Sequence, residues 1–181
     1  MEFPFLDLLG DNSTSFKWVP TLLLSTGNDI ALKGAKDYGT NVFGASFDPP
    51  CDAYRSIPSY DADSSATYFS AKSTGNNTAS VDTQFSCVQD SPFPLSFYKN
   101  VTNQVMFADA KTCDNMIRLF NTSVSTSPNR IETVKGTVKA TMPPFTEEHE
   151  WSGVYGIRLD SAFIENNYLP CENFRGYSGS D

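Results

Sequence analysis

Apolar and polar residues alternate along much of the chain with a period of two, which is the spacing of a half-buried β-strand. The clearest case is residues 133–142, where Val134, Val138, Ala140 and Met142 alternate with threonines and lysines. Similar β-branched or aromatic runs predict strands at residues 17–25, 29–33, 41–47, 67–73, 80–88, 104–108, 117–124 and 154–163. The pattern therefore predicts about nine strands.

Turn residues separate these runs. Residues 25–28 and 73–77 contain Gly and Asn, which tolerate positive φ and can close hairpins. Only residues 5–9 and 114–120 favour a helical turn. Strands at this spacing, without alternating helices, predict an all-β fold: an antiparallel β-sandwich of jelly-roll or immunoglobulin-like type.

The chain reads as a single domain, because no Gly/Ser-rich or Pro-rich linker divides its 181 residues. We expect residues 1–181 to form one β-sandwich, with an N-terminal extension (about residues 1–15) and an irregular C-terminal tail (about residues 165–181).

Charge and hydropathy exclude two classes of partner. The net charge is −8 and no basic run is present, which argues against a nucleic-acid surface. No apolar run approaches the ~20 residues that cross a bilayer, so we expect no membrane span. The N-terminus also lacks the basic start of a signal peptide. Met1 is then either a remnant of expression on a secreted protein or the native start of an intracellular one.

The four cysteines, Cys51, Cys87, Cys113 and Cys171, are far apart in the sequence. None of their spacings fits a CxxC redox pair or a zinc site, so they predict two disulfides, and three connectivities remain open. Disulfides imply an oxidising compartment, so we expect a secreted protein or one on an extracellular surface. Four Asn-x-Ser/Thr sequons in polar, turn-like contexts are candidate glycosylation sites: Asn12, Asn76, Asn100 and Asn121.

The inventory of reactive residues favours a protein without catalysis. The chain has one histidine, His149, no G-x-S-x-G elbow and no Gly-rich phosphate loop. We expect no catalytic residues, no metal and no cofactor. Paired carboxylates for glycoside hydrolysis stay open, because 21 acids are available and the sequence selects no pair.

Aromatic residues are the best candidates for ligand contacts, at 13% of the chain. A flat ring with a polar tip can stack on a sugar or anchor a protein partner. Two irregular stretches, residues 48–66 and 165–181, each carry a cysteine that would anchor a binding loop. The candidates are Tyr54, Tyr60, Trp151, Tyr155 and Tyr177; core packing is the competing interpretation for each.

These observations favour a secreted or cell-surface glycoprotein domain that binds a protein or glycan partner through disulfide-anchored loops. One alternative is a structural subunit of an extracellular filament or capsid-type assembly, which would self-assemble through strand edges or through residues 3–9. A further alternative is a small glycan-active enzyme that uses paired carboxylates.

Overall fold

The fold is mostly β, as the sequence predicted. The computed structural model describes residues 1–57, 66–75, 78–120 and 131–179. In these residues the regular structure consists of fourteen strands, most of them short, two α-helices and one 3-10 helix. No helix among them is long and apolar enough to span a bilayer.

The helices are α1 (Asp29–Asp37) and α2 (Leu95–Thr102), and the 3-10 helix is Cys171–Phe174. The strands, in chain order, are β1 (Phe3–Leu6), β2 (Phe16–Trp18), β3 (Thr21–Ser25), β4 (Asn41–Asp48), β5 (Arg55–Ser56), β6 (Thr67–Ser73), β7 (Ser80–Cys87), β8 (Val105–Phe107), β9 (Thr112–Asp114), β10 (Met116–Arg118), β11 (Glu132–Thr141), β12 (His149–Arg158), β13 (Phe163–Glu165) and β14 (Leu169–Pro170).

The largest sheet has seven strands in the order β12-β11-β7-β6-β4-β3, and β5 also pairs with β6. Its pairs are antiparallel except β3 and β4, which are parallel. Parallel neighbours need a crossover, and α1 supplies it. A second sheet has the order β1-β2-β8-β9-β14, with β2 parallel to β8, and β10 pairs with β13 alone. Two parallel pairs therefore depart from the antiparallel arrangement that the sequence predicted.

The predicted strand at residues 29–33 is wrong, because α1 occupies this segment. The Asn28 side chain accepts a hydrogen bond from the Ala31 backbone N–H at 3.0 Å, which caps the helix. Lys33 and Asp37 form an i,i+4 ion pair at 2.7 Å. The two segments predicted to form helical turns, 5–9 and 114–120, instead contain the end of β1 and strand β10.

Other strand predictions match closely. Strand β6 has the predicted bounds, and β7 ends one residue earlier than predicted. The predicted strand 17–25 is divided into β2 and β3 by the Val19-Pro20 pair, and the strand predicted at 154–163 runs from His149 to Arg158. The predicted N-terminal extension contains β1, and the predicted C-terminal tail contains β14 and the 3-10 helix.

One disulfide joins Cys113 on β9 to Cys171 after β14, across 58 residues of sequence. It lies inside the larger core cluster with Phe16, Val105 and Phe107. The other two cysteines, Cys51 and Cys87, are free and exposed. The structure therefore contains one of the two expected disulfides. Of the three possible connectivities, only the one that pairs Cys113 with Cys171 includes this bond.

Candidate functional site: a carboxyl-lined cavity beside the disulfide

A cavity of about 480 Å³ lies between helix α1 and the segments that the disulfide joins. Strand β3 and α1 form one wall, and Asp114 of β9, Met116 of β10 and Glu165 of β13 line the other. Asp114 follows Cys113 directly, and Tyr168 lies three residues before Cys171. The disulfide therefore fixes the backbone on which these polar side chains stand.

Asp114 is the most unusual group in this cavity. It is only 4% exposed, and its Oδ1 atom has no hydrogen-bond partner among the described residues. Burial, together with the negative charge and hydrogen bond of the neighbouring Glu165 carboxyl, raises the pKa of Asp114 to about 7. The raised pKa favours the protonated form of Asp114 below neutral pH, and its Oδ1 atom is the one left without a partner.

An ion pair between a buried lysine and the more exposed Glu2 lies close to Asp114. Lys17 is 1% exposed, and its Nζ atom lies 3.0 Å from Glu2 Oε2 and 2.8 Å from the Thr102 carbonyl oxygen. Burial lowers the pKa of Lys17, although Glu2 opposes this effect. The Lys17 ammonium also tends to lower the pKa of Asp114, but by less than burial and Glu165 raise it.

Two tyrosines line the cavity beside Glu2, Asn28 and Arg118. The Tyr38 and Tyr168 rings lie 5.9 Å apart, centroid to centroid, and are tilted by 52°. Burial raises the pKa of Tyr38 to about 12 and also raises that of Tyr168, so both hydroxyls stay protonated and can donate hydrogen bonds. A Cβ at Gly34 of α1 would lie 2.5 Å from the Tyr168 hydroxyl oxygen, so a larger residue there would displace the Tyr168 side chain.

The cavity mouth is apolar. Ile30, in the first turn of α1, is 87% exposed, and Tyr168 is 36% exposed; both line the cavity. Leu169, next to Tyr168, is 42% exposed. A large, isolated apolar side chain on a surface needs no explanation, but a largely apolar cavity with a few convergent polar groups is typical of binding sites.

A second, shallower groove of about 340 Å³ lies on the large sheet. The predicted ligand-binding residue Tyr54 lines it, 42% exposed, with the Arg158 guanidinium carbon 4.6 Å from its ring centroid. Arg158 donates from Nε to Glu132 Oε2 at 2.7 Å, so its charge is already paired. Phe69 and Phe85 form part of the floor.

The structure does not bring the predicted ligand-binding residues together. Trp151 is half-buried and packs against Ala140 and Met142, and Tyr155 lies under the Lys135 ammonium at 4.9 Å. Tyr177 packs against the disulfide core, with its hydroxyl buried and without a partner among the described residues. Tyr60 lies outside the described residues.

The predicted glycosylation sites are placed as follows. Asn12 is exposed in the loop before β2, at φ 55°, where its N–H donates to Asp7 Oδ2 at 3.1 Å. Asn100 is exposed on α2 rather than in a turn. Asn76 and Asn121 lie outside the described residues.

Sequence reasoning did not identify Asp114, Glu165, Lys17 or Tyr38 as site residues. The polar pair Asp114-Asn115 after a cysteine, and the concentration of polar and aromatic residues in 165–181, were the available signals. The pairing of Asp114 with Glu165 depends on β10 and β13 being neighbours, which no local pattern shows.

Comparisons with protein-family models, with curated proteins and with solved structures find no match for this chain. Its function must therefore be inferred from the chemistry of the cavity.

Proposed function

We propose that this chain is a secreted, non-enzymatic binding domain that takes part of a glycan into the carboxyl-lined cavity. The observation that carries the proposal is Asp114, a buried carboxyl with an unpartnered oxygen, which lines a cavity of about 480 Å³. A buried polar atom without a partner costs about 1 to 3 kcal/mol. A protein retains such an atom most readily where a ligand completes its hydrogen bonding.

The chemistry of the lining suits a sugar. Sugar hydroxyls both donate and accept, and the cavity offers carboxyl oxygens as acceptors and tyrosine hydroxyls as donors. The exposed part of the Tyr168 ring gives a flat surface on which the apolar face of a sugar can stack. A cationic amine is the competing ligand, since the carboxyl pair also attracts positive charge.

We further propose that this chain matures in an oxidising compartment, carries N-linked glycans and folds as a β-sandwich. The buried Cys113–Cys171 bond supports an oxidising compartment, because cytosolic proteins rarely keep disulfides. Exposure of Asn12 and Asn100 is consistent with glycosylation at those sites. We also propose that the sheets pack as a β-sandwich, which the extended ladders of the large sheet support.

A glycan array probed with the labelled wild-type protein tests the proposal, followed by titration calorimetry with the strongest binder. We expect Glu165→Gln to weaken that binding at least about tenfold, since a hydrogen bond to a charged group contributes roughly 1.5 to 3 kcal/mol. Tyr155→Phe is the control, because Tyr155 does not line the cavity.

The array also distinguishes the competing interpretations. If no glycan binds, or if Glu165→Gln binds as the wild type does, the glycan proposal is wrong. Binding of amine-bearing glycans alone, abolished by Glu165→Gln, would assign the cavity to a cation instead.

Catalysis is the second candidate, and one observation favours it: a carboxyl with a pKa of about 7 is suited to general acid–base work. However, glycosidases hold their two carboxyls roughly 5 Å or roughly 6.5 to 9.5 Å apart. Asp114 and Glu165 are in hydrogen-bond contact, which leaves no room for a sugar carbon or a water between them. Turnover of the bound glycan, lost in Asp114→Asn, would favour the enzyme.

A further inference from the structure

The 49–54 loop, which carries Cys51, leaves the large sheet and returns to it. Strand β4 ends with Asp48 opposite Ser70 of β6, and β5 begins with Arg55 opposite Tyr68 of the same strand. The six residues between them therefore project from the sheet. The base of the loop is closed by Arg55, whose Nη2 atom lies 3.3 Å from Asp48 Oδ1, and by the Tyr68 hydroxyl, which donates to Asp48 Oδ2 at 3.1 Å.

The last residue of this loop, Tyr54, contacts Arg158 on β12. The Tyr54 ring lies 4.6 Å from the Arg158 guanidinium carbon. Asp52, the residue after Cys51, lines a cavity of about 460 Å³ together with Glu132 and Arg158. The Arg158 side chain spans β11 and β7 to meet the loop, since its Nη1 atom donates to Thr67 Oγ1 of β6 at 3.5 Å.

Cys87 lies at the same place. It is the last residue of β7, opposite Val134 of β11, and Arg158 Nη2 donates to its sulfur at 3.1 Å. One guanidinium group thus contacts both the sulfur of Cys87 and the loop that holds Cys51. Both cysteines are exposed, whereas Cys113 and Cys171 are already joined to each other inside the core.

We propose that Cys51 and Cys87 are a second disulfide site, which closes by exchange with a low-molecular-weight disulfide such as oxidised glutathione and fastens the 49–54 loop over the large sheet. The bond forms only when the Cα atoms of Cys51 and Cys87 come within about 7 Å of each other. The loop moves toward Cys87 as Arg158 leaves its sulfur, and the groove beneath Tyr54 is then covered by a covalent bridge.

The exchange balances in two steps. The thiolate of one cysteine attacks a sulfur of glutathione disulfide, which forms a mixed disulfide and releases one glutathione thiolate. The second cysteine thiolate attacks the protein sulfur of that mixed disulfide and releases the second glutathione. Two protein thiols lose two protons and two electrons, and one glutathione disulfide becomes two glutathione molecules.

Tryptic peptide mapping without reduction tests the pairing on the full chain equilibrated in a glutathione redox buffer and then trapped with a maleimide. The four cysteines fall on four different tryptic peptides, 37–55, 73–99, 112–118 and 159–175. We expect peptide 37–55 linked to 73–99, peptide 112–118 linked to 159–175, and no maleimide on the intact protein.

Cys51→Ser and Cys87→Ser are the matched controls. Each should carry either one maleimide or one bound glutathione on the remaining cysteine and keep the 112–118 to 159–175 link, which also shows that the variant folds. We further expect each variant to unfold several degrees below the oxidised wild type, because the cross-link restricts the unfolded chain.

Three results would overturn the proposal: two maleimides on the wild type with the Cys113–Cys171 bond intact, a link from Cys51 or Cys87 to another peptide, or a disulfide-linked dimer. The site is independent of the proposed glycan cavity, which none of residues 49–54 lines. Failure here would leave glycan binding unaffected.

Discussion

Asp114 should make the protein less stable as the pH rises. Its pKa is raised to about 7 in the folded protein, above the ordinary value of 3.8 that it has in an unfolded chain. A raised carboxyl pKa adds stability that is fully present below pH 4 and is lost as the pH rises through 7. Three pKa units correspond to roughly 4 kcal/mol, as an upper limit.

We therefore expect Asp114→Asn to remove this decline, because a neutral amide needs no proton and can donate to Glu165. At pH 8 the variant should be more stable than the wild type by about 2 kcal/mol in urea unfolding, and at pH 4 the two should be similar. Parallel pH profiles for the two proteins would contradict the expectation. Asp114→Asn should also weaken binding of the proposed ligand. Stability at pH 8 and binding affinity would then change in opposite directions.

Glu2 should stabilise the folded protein, because its carboxylate balances the positive charge of Lys17, whose side chain is 1% exposed. Glu2→Gln leaves that charge buried with the Thr102 carbonyl, and we expect a loss of about 3 kcal/mol in the free energy of unfolding. Glu148→Gln is the control, since its pair with Lys139 has both side chains about half exposed (44% and 57%) and should contribute less than about 1 kcal/mol. Equal losses in the two variants would show that burial does not set the strength of the Glu2–Lys17 pair.

At the scale of elements, β11 and β7 approach each other too closely at Gly136 for any larger residue. A Cβ there would overlap the Gln84 carbonyl oxygen, whereas a Cβ at Gly156 of β12 would lie 3.5 Å from Val134 Cγ2, an ordinary contact. We expect Gly136→Ala to lower the free energy of unfolding by about 3 kcal/mol and Gly156→Ala by less than about 1 kcal/mol. Chemical denaturation of the two variants side by side checks this, and equal effects would contradict it.

The Cys113–Cys171 disulfide should hold the cavity segments together. It closes a span of 58 residues, for which the chain-entropy relation gives about 4 kcal/mol. We expect the Cys113→Ala, Cys171→Ala double variant to lose about this much stability and also to lose the proposed ligand, because Asp114 and Tyr168 adjoin the two cysteines. Retention of full affinity by a folded double variant would show that packing alone positions these residues.

The sequence correctly predicted those elements whose pattern is set by residues close together along the chain. The period-two alternation of residues 67–73 and 80–88 reproduces β6 and β7 because one face of each strand packs inward. The strand predicted at residues 29–33 was wrong because a short apolar run fits a strand or a helix equally. The feature that favours the helix, the cap from Asn28, is a single hydrogen bond. The cavity could not be predicted at all, because Lys17, Asp114 and Glu165 come together only through the parallel β2–β8 pair and the β10–β13 pair.

At the scale of the whole molecule, the choice between a binding domain and an assembly subunit depends on the free strand edges. The end strands of the large sheet are β12 and β3. Strand β12 is ten residues long, but the register of its pairing with β11 shifts near Gly153, which has φ 71°. A bulge of this kind twists an edge away from a second chain. On β3, the amino group of Met1 donates to the Thr21 carbonyl oxygen at 3.1 Å and blocks one edge acceptor.

We therefore expect a monomer near 19.9 kDa in light scattering over a wide range of concentration. Deleting the first ten residues is a poor test of the assembly alternative, because the deletion also removes Glu2, the partner of buried Lys17, and strand β1. Leu6→Asp is the sharper test, since Leu6 lies in β1, on the outer edge of its sheet, and is already 38% exposed. Wild-type oligomers that dissociate in Leu6→Asp would favour assembly through the N-terminal strand. If the wild type and Leu6→Asp are both monomers, the cavity mouth, with Ile30 and Tyr168, is left as the surface that meets a partner.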